Sequence, residues 1–231
     1  MLYYNVTNGS FVKRLNRFSA LAEIQGMIQT VHVKTTGRCQ ELFLPGVSAF
    51  FEKSGNPARK TAYSLIAVEK NGKTINVDSQ IPNAVVEEGI KNGTIILPFL
   101  TAPLLSVRRE VTRGHSRFDF LLNTDNAPVW IEVKGVTLED NGIAMFPDAP
   151  TLRGLKHLRE LTEIAQSGGS ACMIFLIQMN GIHYFTPNKT AQPEFAQALL
   201  EARNCGVHLL AYCCNVTGTA ITASYPVEIH L

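Results

Sequence analysis

The hydrophobic pattern of the chain changes character once, around residues 78–82, and this limits the folds open to it. Before that point the apolar residues fall in short β-branched and aromatic runs at residues 17–24, 27–34, 41–44, 49–52 and 62–77. Asn71-Gly72 splits the last run, and an Asn-Gly pair between alternating apolar residues is the strongest short signal for a tight hairpin. Four or five short strands without a helical repeat predict a small β-barrel, with the five-stranded oligonucleotide-binding (OB) barrel as a fitting form. After residue 82, strands and helices mix. Asn83 is expected to cap a helix over residues 84–91, which Asn92-Gly93 ends. Strands are expected at 104–112, 117–122, 129–133, 171–178 and 207–216, and helices at 151–166 and 193–204. That order predicts a mixed α/β sheet flanked by helices. The expected division is therefore a barrel domain, residues 1–82, and an α/β domain, residues 83–231. At 231 residues, 45% apolar and 17% charged, the chain can bury a full core and is neither disordered nor a coiled coil.

Charge is uneven. The first sixty residues carry eight Lys/Arg against three acids, a local +5, while the whole chain is only +2. A basic barrel suggests a polyanionic partner. Arg14, Arg17 and Arg38 are the expected phosphate contacts, without base recognition. Phe11, Phe18, Phe43, Phe50 and Phe51 are divided between barrel core and base-stacking surface, most of them core. No apolar run reaches the roughly 20 residues of a membrane span. The first residues lack a signal-peptide pattern, and five cysteines is an odd number, so reduced thiols and a cytoplasmic location are expected. Cys205, His208, Cys213 and Cys214 match no standard zinc spacing and read as inert buried groups.

The chemistry lies in two neighbouring runs, Ser116-Arg117-Phe118-Asp119-Phe120-Leu121-Leu122 and Trp130-Ile131-Glu132-Val133-Lys134-Gly135. Strand alternation places Phe118, Phe120 and Leu122 on one face and Arg117 and Asp119 on the other. In the second run it places Glu132 and Lys134 together. Two carboxylates and an intervening backbone carbonyl suit a hard cation such as Mg²⁺ or Mn²⁺, and a neighbouring lysine suits water activation at a phosphodiester. A Glu-x-Lys pair on a solvated strand face gives the same sequence. Glu110, across the 113–116 turn from Asp119, reads as a strand-edge acid paired with an arginine rather than a third ligand. On the 151–166 helix, spacing sets Arg153, Lys156, His157 and Glu160 opposite the leucines at 152, 155, 158 and 161.

These runs, with Phe146-Pro147-Asp148-Ala149-Pro150-Thr151-Leu152-Arg153-Gly154-Leu155-Lys156-His157-Leu158-Arg159-Glu160-Leu161, Pro226-Val227-Glu228-Ile229, Arg14-Leu15-Asn16-Arg17-Phe18 and Gly37-Arg38, resemble the sugar fermentation stimulation protein family. The resemblance implies DNA binding by an N-terminal OB barrel joined to a domain similar to PD-(D/E)xK nucleases. It implies that Asp119 is the motif's first acid and that Glu132 and Lys134 form its ExK, with Asp119 and Glu132 as metal ligands. The motif's proline is replaced by Phe118. Arg117, Arg153, Lys156 and His157 are then expected around the nucleic acid. The implied activity is a metal-dependent nuclease with little sequence preference. The alternative is a non-catalytic DNA-binding regulator, linked to sugar metabolism, on the same scaffold. DNA is the expected partner, RNA a weaker one, and the sequence leaves a homodimer open.

Overall fold

The computed structural model describes residues 1–35 and 37–231. The first part forms β1 (Val6–Arg14), β2 (Ser19–Ile24), β3 (Met27–Val33), β4 (Ser48–Lys53), β5 (Tyr63–Lys70) and β6 (Lys73–Asn76). Hydrogen bonding runs in the order β3-β2-β1-β4-β5-β6, and a parallel pairing of β3 with β5, His32↔Ser64 and Val33↔Leu65, closes five strands into an OB-like barrel. Closure removes the open edges of the sheet. Phe11, Ala20, Ala22, Ile24, Val31, Phe51 and Leu65 fill the interior, each almost fully buried. Asn71 and Gly72, both at positive φ, make the tight β5–β6 turn that their sequence predicts.

The expected strand at 41–44 is absent. Those residues turn instead, with the amides of Leu42 and Phe43 both donating to the Cys39 carbonyl. Their apolar character serves the core: Leu42 is buried and Phe43 stacks on Phe11 with ring centres 5.3 Å apart. The strand that completes the barrel is β1, whose polar Val6-Thr7-Asn8-Gly9-Ser10 start hides its period. Gly9 is needed there, because a Cβ would stand 2.3 Å from the Glu23 carbonyl oxygen.

The second part contains α1 (Pro82–Asn92), β7 (Leu104–Arg113), β8 (Ser116–Thr124), β9 (Val129–Val136), β10 (Leu138–Asp140) and β11 (Ile143–Phe146). It continues with α2 (Leu152–Gln166), β12 (Ser170–Ile177), β13 (Tyr184–Pro187), α3 (Pro193–Asn204), β14 (His208–Val216), β15 (Ile221–Pro226) and β16 (Glu228–Ile229). Its main sheet runs β15-β14-β12-β9-β8-β7, and a small sheet runs β10-β11-β13-β16. The mixed α/β class follows: β12 is parallel to both neighbours, and the outer pairs are antiparallel. Alternation along β12 feeds two cores. Met173, Phe175 and Ile177 pack with the residues of α2 and α3, and Cys172, Ile174 and Leu176 with Val85, Val86 and Ile90 of α1. Burial on both faces explains the unbroken apolar run.

The two parts are stitched together. Gln178 receives the Asn76 amide on its carbonyl at 2.9 Å, and its side-chain amide donates to the Asn76 side chain at 2.9 Å and to the Asp78 carbonyl at 3.2 Å. The first residues cross over: Leu2 bridges Ala220, and the buried Tyr3 belongs to the α1-side core.

Candidate metal centre

The site forms where the regular ladder ends. Strands β8 and β9 pair only over Phe120↔Ile131, Leu121↔Trp130 and Leu122↔Val129. Beyond that the strands part, and the Asp119 side chain takes the place of the missing backbone acceptor. One Asp119 oxygen accepts from the Val133 amide at 2.8 Å, and the other accepts from the Asn83 side-chain amide at 2.7 Å. The irregularity also turns the strand over. Phe118 packs in the α2-side core and Phe120 in the α1-side core, so the two do not share a face as alternation predicts. Glu110, opposite this point, sits at φ 53°, is exposed and pairs with Arg117 at 3.4 Å. It is an arginine-paired surface acid and stays out of the site.

Glu132 lies on β9 with only 3% of its side chain exposed. One oxygen, Oε1, takes both Lys134 Nζ at 2.5 Å and His157 Nδ1. The other, Oε2, is buried and has no partner among the described residues. A buried carboxylate oxygen without a donor is costly unless something else satisfies it. Burial pushes the Glu132 carboxyl up, but the His157 hydrogen bond and the Lys134 charge outweigh it and hold it below the usual carboxylate range. Asp119 shifts the other way: burial, then repulsion from Glu132, raises it above its ordinary value against the Val133 and Asn83 hydrogen bonds. The pair is short of positive charge on the Asp119 side. Among the described residues no three His, Cys, Asp or Glu side chains gather in metal-holding geometry. A cation here would rest on Asp119, the open oxygen of Glu132, the carbonyl of residue 133 and solvent, a donor set that suits Mg²⁺ or Mn²⁺.

Helix α2 differs from its sequence reading. His157 is 4% exposed and faces Glu132, while Leu152, expected in the buried stripe, is 82% exposed at the helix start. The buried stripe is instead Leu155, Leu158, Leu161 and Ile164, and His157 joins it because its imidazole has a buried carboxylate to bind. Thr151 caps the helix by accepting from the Gly154 amide at 3.0 Å. Phe118, in the place of the motif proline, packs edge-on to Trp130 at 5.5 Å and near His157 at 6.0 Å. Arg153 is exposed. Lys156 donates to the His115 carbonyl at 3.2 Å, which ties α2 to the β7–β8 turn.

Asn83, expected as a helix cap, lies two residues too late for that: the N-cap is Ile81, with no side-chain cap, and Pro82 starts α1. Its side chain is thereby released to reach Asp119, 36 residues on, a contact no local pattern announces.

Of the barrel arginines, Arg14 is fully committed inside the protein. Its five N–H donors go to the carbonyls of Asn16, Gly37, Arg38, Arg17 and Thr35 at 2.7–3.1 Å, and its guanidinium lies over Phe43. It therefore shapes the two loops that hold Arg17 and Arg38 and has no N–H left for a phosphate. Arg17 and Arg38 are exposed and have no acidic partner among the described residues. Phe18 is 55% exposed with Arg17 over its ring, whereas Phe11, Phe43 and Phe51 are core. The cysteines are free thiols, and burial pushes Cys39 up to about 12. No helix among the described residues is long and apolar enough to cross a membrane.

Two family models match this architecture: one described as the SfsA N-terminal OB domain, over residues 12–77, and one described as the sugar fermentation stimulation protein RE domain, over residues 80–220. The chain belongs to the sugar fermentation stimulation protein family. A homolog of that name from Desulfitobacterium hafniense (strain DSM 10664 / DCB-2) is 45% identical over 231 residues, 100% of this chain and 99% of the relative. Another from Clostridium tetani is 46% identical over 228 residues, covering 98% of each. The structure of Pyrococcus furiosus SfsA in complex with Ca²⁺ is similar at a TM-score of 0.89 and 28% identity, covering 100% of this chain and 98% of the other. The resemblance read from the Phe146–Leu161 block and the two strands of the site is thus borne out at the level of the family.

Proposed function

We propose that this member of the sugar fermentation stimulation protein family is a DNA-binding phosphodiesterase with little sequence preference, dependent on Mg²⁺ or Mn²⁺. The observation that carries the reading is the open, buried oxygen of Glu132 near a carboxylate, Asp119, whose charge the Lys134 ammonium only partly offsets. That the similar Pyrococcus furiosus protein was solved with Ca²⁺, another hard, oxygen-seeking cation, agrees with it. A bound divalent ion at such a site polarises the phosphoryl oxygen and lowers the pKa of water.

The residues divide the remaining work. Asn83 and the Val133 amide hold Asp119 in one orientation, and His157 fixes the Glu132 carboxylate from the core side. Lys134 is held by Glu132 beside the acids, where its ammonium orients the attacking water and offsets charge on the phosphate. Water oxygen bonds to phosphorus, the bond from phosphorus to the leaving sugar oxygen breaks, and the water's proton passes to solvent or to that oxygen. Exposed Arg153, with Lys156 and Arg117, supplies the outer positive charge for the backbone, and Arg17 and Arg38 supply it on the barrel. Those contacts carry no sequence information.

The test is cleavage of labelled single-stranded, double-stranded and branched DNA, and of RNA, with Mn²⁺. Wild type is run beside a Glu132→Ala/Lys134→Ala double variant. DNA product that only wild type makes supports the reading. Binding by both proteins with product from neither transfers the function to the non-catalytic regulator that the sugar-related family name brings to mind, and RNA-only cleavage changes the substrate.

A further inference from the structure

Between the barrel and the α/β domain lies a cavity of about 160 Å³. Thr35, Gly37 and Cys39 of the barrel line it together with Ser79, Thr137 and Asp148, and Gly37 and Asp148 stand against each other. Its floor is made by Pro82 and Gly135, the residues directly before Asn83 and directly after Lys134. One residue of strand rises about 3.3 Å, so the cavity floor lies one strand position from Lys134, on the other face of β9. At its other end Gly37 is shared with an open groove of about 500 Å³ that Arg17, Arg38, Gln40 and Phe43 line. Positive groove, a cavity holding a single carboxylate, and acidic site therefore follow one another.

We propose that this cavity receives one unpaired nucleobase of a DNA strand whose phosphates run from the Arg17–Arg38 groove to the Asp119–Glu132 site. The proposal rests on the phosphodiesterase reading and narrows its substrate to single-stranded or frayed DNA. Size supports it. A water needs roughly 10–15 Å³ of such space, so the cavity has room for about 11–16 water-sized atoms, which fits one base and excludes a base pair. Charge supports it too. Asp148 is the only charged side chain among the described lining residues, and a carboxylate repels phosphate while accepting from base N–H groups. Met145 and Phe146 add apolar surface of the kind that base faces cover. The opening above Asp148 depends on a missing side chain. A Cβ on Gly37 would stand 2.8 Å from Asp148 Oδ2, 3.3 Å from Cys39 Sγ and 3.4 Å from Thr35 Oγ1.

The test measures binding with EDTA present, so cleavage plays no part. Fluorescence anisotropy compares a labelled 12-nucleotide strand, its blunt duplex, and strands carrying one abasic position in turn. Wild type is expected to favour the single strand over the duplex about tenfold, and one abasic position is expected to cost about tenfold while its neighbours cost little. Gly37→Val, which plugs the opening, should remove that preference. Asp148→Ala should weaken strands with guanine or cytosine at the sensitive position more than those with thymine. If Gly37→Val does not fold, the abasic scan and Asp148→Ala decide alone. Equal binding of strand and duplex, or an abasic scan with no sensitive position, overturns the proposal even where Mn²⁺-dependent cleavage is found. A sensitive position without cleavage under any metal keeps the base site and removes the phosphodiesterase.

Discussion

Asp119→Asn should make the metal-free protein more stable while removing its response to metal. The Asp119 carboxyl is raised by burial and by Glu132, so its ionised form is disfavoured in the fold. Asparagine keeps the shape and loses the charge. Its oxygen still accepts from the Val133 amide, and a rotated Asn83 amide turns its own oxygen toward the new NH₂ group, so both hydrogen bonds survive. What remains is relief of like-charge repulsion and desolvation, about 1 kcal/mol for removing one functional-site penalty of this kind. For a chain of this size that raises Tm by about 2–4 °C. The sign follows from proton binding. A raised carboxyl holds its proton more tightly folded than unfolded, so its contribution to stability falls as pH rises from the ordinary Asp range through the folded pKa. The gap between variant and wild type should therefore be small below the usual carboxylate range and open fully above the raised value. Metal reverses the order. With ligand at ten times Kd, binding adds about 1.4 kcal/mol, so millimolar Mn²⁺ should raise wild-type Tm by several degrees and leave the variant unmoved. Thermal melts in EDTA and in Mn²⁺ between pH 4 and 8 read both effects. A variant less stable than wild type in EDTA at neutral pH, or one that keeps the full metal shift, refutes the electrostatic reading of the pair.

Arg14→Ala should lower stability by about 2–3 kcal/mol, since charged N–H bonds to five carbonyls and the Phe43 contact disappear together, and Arg14→Lys should not restore it. Denaturant melts check this. By contrast, Arg17→Ala and Arg38→Ala should leave the melt unchanged and each reduce the salt slope of DNA binding by about one. His157→Ala should cost about 3 kcal/mol, because a buried carboxylate loses a partner. Glu132 should also titrate nearer its ordinary range, and since its carboxyl is held low in the fold, the stability it contributes at neutral pH should then fade at higher pH on acidification. Carbon-detected NMR titration of the Glu132 side chain reads that directly.

Legibility in the sequence followed the range of the interactions. The hairpin at Asn71-Gly72 and the buried strand β12 depend on neighbours within a few positions, and both are readable. The pairing of Asp119 with a Glu-x-Lys strand was readable as a motif, because strand alternation joins Glu132 to Lys134. Three of the misreadings share one cause: a side chain has a local role in the sequence that a distant partner overrides. Asn83 has cap chemistry, and Asp119 takes it. His157 has the spacing of a solvated helix face, and Glu132 draws it inside. Arg14 belongs to a basic cluster, and the carbonyls of two loops use every donor it has.

The same break in regularity places the site and sets its chemistry. Had β8 and β9 paired one step further, a backbone carbonyl would accept the Val133 amide and Asp119 would point along a regular face. Instead the ladder stops at Phe120↔Ile131 and a carboxylate enters the gap. The cores on either side pin the departure, because Phe118 and Phe120 are both buried, one in each. Burying each ring stabilises by about 1.5–3 kcal/mol, enough to hold the turnover of the strand and a carboxylate with too little positive charge around it. A polar or small residue at 118 would let the strand relax and the carboxylate withdraw. Phe118→Ser should therefore weaken metal-induced stabilisation although residue 118 contributes no ligand, whereas Phe118→Leu, which keeps the apolar anchor, should retain it.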